Sequence, residues 1–418
     1  MLNSFDRMRA VILSILVIGV VFTTISVTSE PVASASVITV DDSGGADYMS
    51  IQAAITNATD GDVIEVQPGT YEEQLVITKN ITLRAPQGAR LNGSNFSDFT
   101  SVAIKIGRNA APEISGFTVV DYGAAINASQ TNRAWAVVDL TIKNNFVGIA
   151  ATNSTGSWQV VETTVSNSFI SLNAAMSTGN WVIKNSTFNS SIIGVATPQA
   201  SGKWLVKNTH INHSIVAVFA ENTSGDWVLQ NTTITNTQGV GVFVPNASGN
   251  WTISDSEFYN TTYAPPGTTL PNGNGTAIYA GNTTGEWAVH NTSITKSANH
   301  GINATGADPQ GDATMNWWGQ PEGPTADQCV GNVNCGDYLS SPPDVDLPPV
   351  VGDSVPTDPD NDGKFEDING DGEATVTDVV ALFKNRASPA IQNHVDAYDF
   401  NNDGEVNVVD VVKLFKLL

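Results

Sequence analysis

The segment Gly156-Ser157-Trp158-Gln159-Val160-Val161-Glu162-Thr163-Thr164-Val165 has the same order of residue types as Gly179-Asn180-Trp181-Val182-Ile183-Lys184-Asn185-Ser186-Thr187-Phe188, 23 residues further along the chain. Tryptophan recurs at this interval, lengthened to 24 and then 36 residues in the last two steps, at Trp135, Trp158, Trp181, Trp204, Trp227, Trp251 and Trp287. Six of the seven tryptophans have glycine two residues earlier, which indicates one turn per repeat. A fixed period in this range is typical of a stacked solenoid.

Each repeat alternates apolar and polar residues after its tryptophan. The position two residues on is apolar, the position four residues on is polar, as in Glu162 and Asn185, and the position seven residues on is apolar again. A period of two indicates a strand with one buried face, and the change of phase indicates a bend between two short strands. With a further strand such as Val147-Gly148-Ile149-Ala150, the repeat fits one coil of a parallel β-helix, in which equivalent side chains stack about 4.8 Å apart.

The step between Trp251 and Trp287 contains 12 extra residues, around Ala264-Pro265-Pro266-Gly267 and Asn272-Gly273-Asn274-Gly275. These prolines and glycines predict an insertion in a turn of the solenoid. Such insertions often carry a binding surface.

The segment before the repeats has a different pattern. Ser50-Ile51-Gln52-Ala53-Ala54-Ile55 has helical spacing, while Val63-Ile64-Glu65-Val66, Leu75-Val76-Ile77 and Ile81-Thr82-Leu83 predict strands. A short amphipathic helix here would cover the open end of the stack.

This part of the chain resembles known families. Tyr48-Met49-Ser50-Ile51-Gln52-Ala53-Ala54-Ile55, with Gly61-Asp62-Val63-Ile64 and Pro68-Gly69-Thr70-Tyr71-Glu72-Glu73, is similar to the start of right-handed parallel β-helix proteins of the pectate lyase superfamily. Asn316-Trp317-Trp318-Gly319 is similar to a segment that often closes archaeal and bacterial helices of this kind. The resemblance covers about residues 38 to 340 and implies a mainly β protein with a right-handed parallel β-helix.

The first 35 residues predict a signal peptide: Arg7 and Arg9 precede an apolar run from Ala10 to Val27, and Ala33-Ser34-Ala35 is a small-residue cleavage motif. Cleavage is expected after Ala35. The alternative is an uncleaved anchor, because the apolar run is just long enough to span a bilayer. No later segment predicts a membrane span, so none is expected in the mature chain.

Composition supports an exported protein that does not bind nucleic acid. The net charge is −23 while charged residues are 14% of the chain, so no basic stripe is available for phosphates. In an oxidising exterior, Cys329 and Cys335 could form a disulfide. The 18 Asn-x-Ser/Thr sequons between Asn57 and Asn303 fit a glycosylated surface, although an Asn- and Thr-rich repeat also produces sequons by chance.

Catalytic chemistry on such a helix needs carboxylates on neighbouring coils or at alternate positions of one strand. Asp139 and Glu162 share the polar column of the repeat, and Arg133 is close in sequence. Stacked carboxylates could perform acid–base chemistry or bind a cation. The alternative, which we favour, is that they replace asparagine in a column that bends the strand. No active-site motif of the resembled families is present.

The tryptophan column also has two interpretations. Exposed indoles could bind sugar rings, or buried indoles could fill a corner of each coil. Because each tryptophan has the same parity as the apolar residue two positions on, burial is favoured.

The most specific motif is a duplicated loop near the C-terminus. Residues 367–378 and, 32 residues later, 399–410 place oxygen-bearing side chains at positions 1, 3, 5, 9 and 12, with glycine at position 6. Calcium is bound by six to eight such oxygens, including the carbonyl at position 7. The spacing predicts two Ca²⁺ sites, with the ligands Asp367, Asn369, Asp371, Glu373, Thr375 and Asp378 in the first and Asp399, Asn401, Asp403, Glu405, Asn407 and Asp410 in the second.

Position 12 is Asp where EF-hands have Glu. With the helices that follow at Val379-Val380-Ala381-Leu382-Phe383 and Val411-Val412-Lys413-Leu414-Phe415, the two halves resemble the type I dockerin duplication. The resemblance implies a domain that folds on calcium and binds a cohesin domain. Dockerin recognition usually involves Ser-Thr at positions 10 and 11, where this chain has Val376-Thr377 and Val408-Val409, which leaves the type of partner in doubt.

Asp358, Asp360 and Asp362 precede the first loop and could bind a third ion, although a solvated acidic segment is the favoured interpretation. The predicted organisation is a signal peptide (1–35), a β-helix (36–340), a Pro-rich linker (341–356) and a dockerin-like domain (357–418).

Two functions are compatible with these features. The first is a secreted, calcium-binding protein whose β-helix binds polysaccharide or cell-surface glycan and whose dockerin attaches it to a cohesin partner. The second is a polysaccharide lyase or glycoside hydrolase delivered by its dockerin. The few carboxylates and arginines on the β-helix favour the first.

Overall fold

The structure is a computed structural model that describes residues 35–96, 99–268, 273–343, 356–359, 363–370, 374–386, 391 and 395–418. The proposed signal sequence up to residue 34 and residues 344–355 of the proposed linker lie outside these ranges. The described residues from Val37 to Asn334 form a parallel β-solenoid of about 13 turns with about 23 residues per turn, as the repeat predicted. No helix in the described ranges is long and apolar enough to cross a membrane.

The described residues contain 28 strands, numbered in chain order. The first eight are β1 Val37–Val40, β2 Val63–Val66, β3 Thr70–Tyr71, β4 Leu75–Ile77, β5 Thr82–Asn92, β6 Val102–Ile106, β7 Glu113–Val120 and β8 Ala124–Asn127. The tryptophan-containing coils comprise β9 Trp135–Val138, β10 Thr141–Lys143, β11 Val147–Ala150, β12 Trp158–Val161, β13 Thr164–Ser166, β14 Ile170–Asn173, β15 Trp181–Lys184, β16 Thr187–Ala196, β17 Trp204–Phe219, β18 Trp227–Thr235, β19 Val240–Phe243, β20 Trp251–Ser254, β21 Glu257–Tyr259, β22 Thr276–Tyr279, β23 Trp287–His290 and β24 Ser293–Thr295. The last four are β25 Ile302–Ala304, β26 Gly311–Asp312, β27 Cys329–Gly331 and β28 Val333–Asn334.

Equivalent strands of successive coils pair in parallel and in register. Trp158 pairs with Trp135 on one side and with Trp181 on the other, and each further tryptophan pairs with the next. The apolar residues two positions after each tryptophan are fully buried, as are those seven positions after it. One hydrophobic core therefore runs through the solenoid from Val40 to Trp318.

The N-terminal helix, α1, spans Ile51–Asn57 and packs against β1, β2 and β4. Ser50 caps it, and the Glu73 carboxylate accepts hydrogen bonds from the backbone N–H of Ile51 and Gln52 at 2.9 Å each. Ile51, Ala54 and Ile55 are buried, which confirms the predicted helix and its apolar face.

Near the other end, Trp318 is buried and Asn316 is fully enclosed. The Asn316 side chain donates to the carbonyls of Val289 and Ala313 and accepts from the N–H of Thr292. Cys329 and Cys335 form the disulfide that the sequence allowed. The predicted insertion lies between β21 and β22, with residues 269–272 outside the described ranges.

Three helices have defined bounds among the C-terminal residues that the structure describes: α2 Val376–Asn385, α3 Val395–Tyr398 and α4 Val408–Leu417. α2 and α4 occupy equivalent positions 32 residues apart and pack against each other. Their shared core is separate from that of the solenoid and consists of Ile368, Leu382, Ile391, Tyr398, Phe400, Val406, Val411 and Leu414.

Candidate functional site

The carboxylates considered for catalysis, Asp139 and Glu162, lie at the same corner of neighbouring coils, because β9 and β12 pair in register and end one residue before each. Their backbones are left-handed, with φ of 53° and 50°. Every other member of the polar column has φ between 49° and 51°: Asn185, Asn208, Asn231, Asp255 and Asn291. Asn and Asp adopt this conformation more readily than other non-glycine residues, so the backbone bend explains the polar column.

The side chains of this column hydrogen-bond to one another along the stack. Asn208 donates to Asn185 at 3.1 Å, Asn231 donates to Asn208 at 3.0 Å, and Asn291 donates to Asp255 at 2.8 Å. Asp139, Glu162 and Arg133 are exposed, and within the described ranges Arg133 forms no ion pair with either carboxylate.

The tryptophan column is buried. All seven indoles are at most 4% exposed, and neighbouring rings stack with centroids 4.6–5.1 Å apart and planes within 11° of each other. The favoured interpretation, a filled corner of each coil, is confirmed. The alternative of an exposed sugar-binding row of tryptophans is wrong, because the indoles are buried and a sugar cannot reach them.

The second acidic loop is described throughout, and its last carboxylate closes it. Asp410 accepts hydrogen bonds from the N–H of Asn401 at 3.2 Å and of Asn407 at 2.8 Å. Asp399, at the first position, accepts from the N–H of Asp403 at 3.1 Å and of Gly404 at 2.7 Å. Gly404, at position 6, has φ of 87°, which matches the sharp turn expected there.

The first loop has the same connections at its last position. Asp378 accepts hydrogen bonds from the N–H of Asn369 at 2.9 Å and of Thr375 at 2.8 Å. Residues 371–373 lie outside the described ranges, and with them the predicted ligands Asp371 and Glu373. Of the proposed third site, Asp360 and Asp362 also lie outside, while Asp358 accepts from the N–H of Gly363 at 2.8 Å.

The carboxylates at the first and last positions of each loop are buried: Asp367, Asp378 and Asp410 are fully enclosed and Asp399 is 5% exposed. Burial by itself would raise the pKa of Asp399, but hydrogen bonds from the N–H of Gly404, Asp403 and Asn402, with the positive charge of Lys364, hold that pKa below its ordinary value. Within the described residues neither Asp378 nor Asp410 forms an ion pair with Lys or Arg. Buried negative charge of this kind is stabilised by a bound cation.

The donor set fits calcium. The second loop offers three carboxylates, two side-chain amides and a backbone carbonyl, all hard oxygen ligands. In the described part of the chain no three acidic, histidine or cysteine side chains lie close enough together to hold a metal ion by themselves.

Two further residues that the loop motif does not include hold the domain together. The Thr357 hydroxyl donates to the Asp367 carboxylate at 2.7 Å, and the Lys364 ammonium donates to the carbonyls of Asp396 and Asp399 at 2.7 and 2.8 Å. Sequence reasoning missed both, because each lies outside the 12-residue repeat and meets its partner only after folding.

α2 and α4 each expose a row of apolar side chains. On α2 these are Val376, Val380 and Phe383, and the equivalent residues on α4 are Val408, Val412 and Phe415, all between 48% and 60% exposed. The two rows have identical residue types at the same 32-residue offset. An exposed apolar row repeated in this way is typical of a protein-binding surface.

The fold and the loops define a parallel β-solenoid protein with a duplicated calcium-loop domain. The C-terminal segment 357–418 matches the model of the dockerin type I domain and is a dockerin type I domain. Dockerin type I domains bind calcium and attach the proteins that carry them to cohesin domains, and such proteins are typically extracellular or associated with the cell surface.

Several solved structures resemble the chain at low identity. Pectate lyase Pel9A is 14% identical, with 68% of this chain and 80% of that chain covered and a TM-score of 0.42. Alginate lyase from Paenibacillus sp. str. FPU-7 is 13% identical, with 73% and 99% covered and a TM-score of 0.40. The catalytic unit of a GH87 α-1,3-glucanase from Streptomyces thermodiastaticus strain HF3-3 is 13% identical, with 75% and 70% covered and a TM-score of 0.44. No curated protein sequence matches the chain.

Proposed function

We propose that this protein is a secreted glycan-binding component that attaches to a cohesin-bearing partner through its calcium-loaded dockerin domain. In this proposal the chain is cleaved after Ala35, and the solenoid acts as a rigid body that holds polysaccharide or cell-surface glycan. The duplicated apolar rows of α2 and α4 are the observation that carries the attachment function.

Two calcium ions would bind in this proposal. Asp367, Asn369, Asp371, Glu373, Thr375 and Asp378 would hold the first, and Asp399, Asn401, Asp403, Glu405, Asn407 and Asp410 the second. The ions would replace part of the hydrogen bonding that the carboxylates now make to the loop backbone and would neutralise their buried charge. Because α2 and α4 begin inside these loops, calcium would fix the positions of both apolar rows.

The chemistry of the rows predicts the nature of the partner surface. Positions 10 and 11, which are Val376-Thr377 and Val408-Val409, supply three β-branched apolar side chains and a single hydroxyl. Phe383 and Phe415 add a ring to each row, 48% and 60% exposed. A cohesin that binds here would present an apolar surface, because burying hydroxyl donors against valines would leave them unpaired.

The attachment can be tested by calorimetric titration of the full chain with a panel of cohesin domains, with calcium and with EDTA. We expect one or more cohesins to bind only with calcium. Phe383→Ala combined with Phe415→Ala should weaken binding by about 100-fold, since buried aromatic anchors dominate interface energetics. Lys384→Ala, next to one row, is the matched control. Loss of binding in the control, or equal binding in EDTA, contradicts the proposal.

The glycan-binding function is preferred to catalysis because Asp139 and Glu162 occupy bend positions that asparagine fills in the neighbouring coils. A panel of polysaccharides, scored for both binding and cleavage, separates the two functions. We expect binding without new reducing ends or unsaturated products. Cleavage that is lost in Asp139→Asn would establish the enzyme instead.

A further inference from the structure

A groove of about 520 Å³ lies on the outside of the solenoid, near its N-terminal end. Three of its lining residues, Phe99, Phe146 and Phe169, are 82%, 43% and 44% exposed. Phe146 and Phe169 occupy the same position on neighbouring coils, and their rings stack with centroids 4.9 Å apart. We define these three residues as the phenylalanine stripe.

Phe99 extends the stripe by one coil although it comes from a loop. The position before Phe146 in the column is Gly123, where a methyl group would lie 2.1 Å from the Phe99 carbonyl oxygen. The Phe99 backbone can lie directly on this coil because Gly123 has no side chain. The Phe99 ring meets Phe146 in a T-shaped contact, with centroids 5.6 Å apart and planes 67° apart, and Phe99 stays largely exposed to solvent.

Polar side chains lie beside the phenylalanine stripe, two residues before Phe146 and Phe169 on the same two coils. Asn144 and Asn167 project from left-handed positions of neighbouring coils, with φ of 57° and 52°, and both are exposed. Asn167 donates to the Asn144 oxygen at 3.3 Å, an arrangement that keeps one amide N–H₂ and one amide oxygen facing solvent. The Asp121 carboxylate lines the groove one coil earlier.

The floor of the groove is rigid. Tyr122 is buried, and its hydroxyl donates to the Glu73 carbonyl at 2.7 Å, while its ring stacks on Phe96 with centroids 5.7 Å apart. The Asn145 amide is buried. Its oxygen accepts a hydrogen bond from the N–H of Tyr122, and its nitrogen donates to the carbonyls of Lys143 and Val119. The exposed groups are therefore preformed, which reduces the entropy lost on binding.

We propose that this groove is the glycan-binding site and that its ligand is an uncharged, linear polysaccharide. The exposed Phe99 ring and the exposed parts of Phe146 and Phe169, beside amide and carboxylate groups, suit a sugar, which has an apolar C–H face and hydroxyls at its edge. One ring and one amide recur on each of the two coils that contain Phe146 and Phe169, which suits a regular polymer lying along the solenoid axis. Asp121 is the one charged residue among the described lining residues, so a uronate polymer would meet like charge and no cation.

The inference rests on the proposed function and is tested on the full, calcium-loaded chain. Uncharged soluble β-glucan and xylan are titrated by calorimetry and by affinity electrophoresis, with polygalacturonate as the charged comparison. Phe146→Ile combined with Phe169→Ile keeps the fold of the column, because Ile192 occupies the same position on the next coil. Phe99→Ser removes the loop ring without touching the coils. Met176→Gln, an exposed change at a corner where Gln130 and Gln199 also stand, is the matched control.

We expect an uncharged polymer to bind, roughly tenfold weaker binding in the double variant, a smaller loss in Phe99→Ser and no change in Met176→Gln. Undiminished binding in the double variant would overturn this site while leaving the glycan-binding function intact. Binding of polygalacturonate in preference to the uncharged polymers would overturn the ligand class. If the wild-type chain binds none of the polymers, the glycan part of the proposed function fails. A change in sedimentation of the double variant from dimer to monomer would instead assign the stripe to a second copy of the chain.

Discussion

Gly202 lies so close to Gly179 on the preceding coil that a methyl group on Gly202 would sit 2.0 Å from the Gly179 carbonyl oxygen. The same contact recurs along the stack at 2.0–2.2 Å wherever glycine precedes tryptophan by two residues. These glycines therefore do more than permit a turn, because they let the backbones of successive coils meet at the corner next to the tryptophans.

We predict that Gly202→Ala destabilises the solenoid by about 3 kcal/mol or more, because both partners of the clash are backbone and cannot move away without shifting a coil. Chemical denaturation followed by tryptophan fluorescence measures the change. Ser201→Ala, an exposed change one residue earlier, should leave the transition in place. Coincident transitions for the two variants would show that the corner has room for a side chain.

The tryptophan stack contributes directly to stability. Trp204 lies between Trp181 and Trp227, with ring centroids 4.9 and 4.6 Å away. Trp204→Ala leaves a cavity that the paired neighbours cannot fill, and we expect a loss of about 3–5 kcal/mol in the free energy of unfolding. The control, Met176→Gln, should change it by less than about 0.5 kcal/mol. A similar small effect in both variants would contradict a packing role for the column.

Calcium binding depends on the last carboxylate of each loop. The Asp410 carboxylate accepts hydrogen bonds from the N–H groups of Asn401 and Asn407, and it would supply a charged calcium ligand at position 12. In calorimetric titration we expect two Ca²⁺ per wild-type chain and one in Asp410→Asn, with a smaller calcium-induced gain in helical circular dichroism. EDTA should remove the gain in both proteins.

Asp396→Asn, an exposed change in α3 outside both loops, is the control and should keep both ions. A wild-type chain that takes up no Ca²⁺ and gains no helicity would refute the assignment of both sites.

His210 makes stability depend on pH. It lies in β17 between Thr187 and Thr233 of the neighbouring coils, and burial lowers its pKa to about 4 from an ordinary value near 6.5. A histidine that stays neutral when folded contributes stability that is present above its unfolded pKa and is lost as the pH falls from 6.5 towards 4. The loss is on the order of 3 kcal/mol.

His210→Thr, which installs the residue of the neighbouring coils, should abolish this part of the pH dependence. Denaturation at pH 7 and at pH 4.5 in both proteins checks it. Burial also raises the pKa of Glu257 in the same column, but that group acts in the opposite direction and is present in both proteins, so it cancels in the difference. Equal pH dependence in the two proteins would contradict the prediction.

Much of the molecule could be predicted because its signals are local and repeated. The 23-residue period predicted the length of each coil, and the alternation of apolar and polar residues predicted that Trp181 is buried, as it is. The polar residue Asn185 predicted a bend in the backbone, and its left-handed φ of 50° confirms that bend. The acidic loops were recognisable for a similar reason, since all the predicted ligands of each ion lie within 12 consecutive residues. Only the folded domain shows that Thr357 and Lys364 bind the loops and that the apolar rows of α2 and α4 are exposed.

The sequence by itself determined that this chain is a parallel solenoid of 23-residue coils with a calcium-loop domain, because repetition and short-range spacing fix both. Only the tertiary structure decided which aromatic side chains are accessible. The tryptophans, which could have formed a sugar platform, are buried, whereas Phe146 and Phe169, in an ordinary apolar stretch, are partly exposed on the outside. Phe99 lies next to them although it is 47 residues earlier than Phe146 in the sequence. This contact depends on the stacking of the coils and on the missing side chain of Gly123, so no pattern along the sequence predicts it.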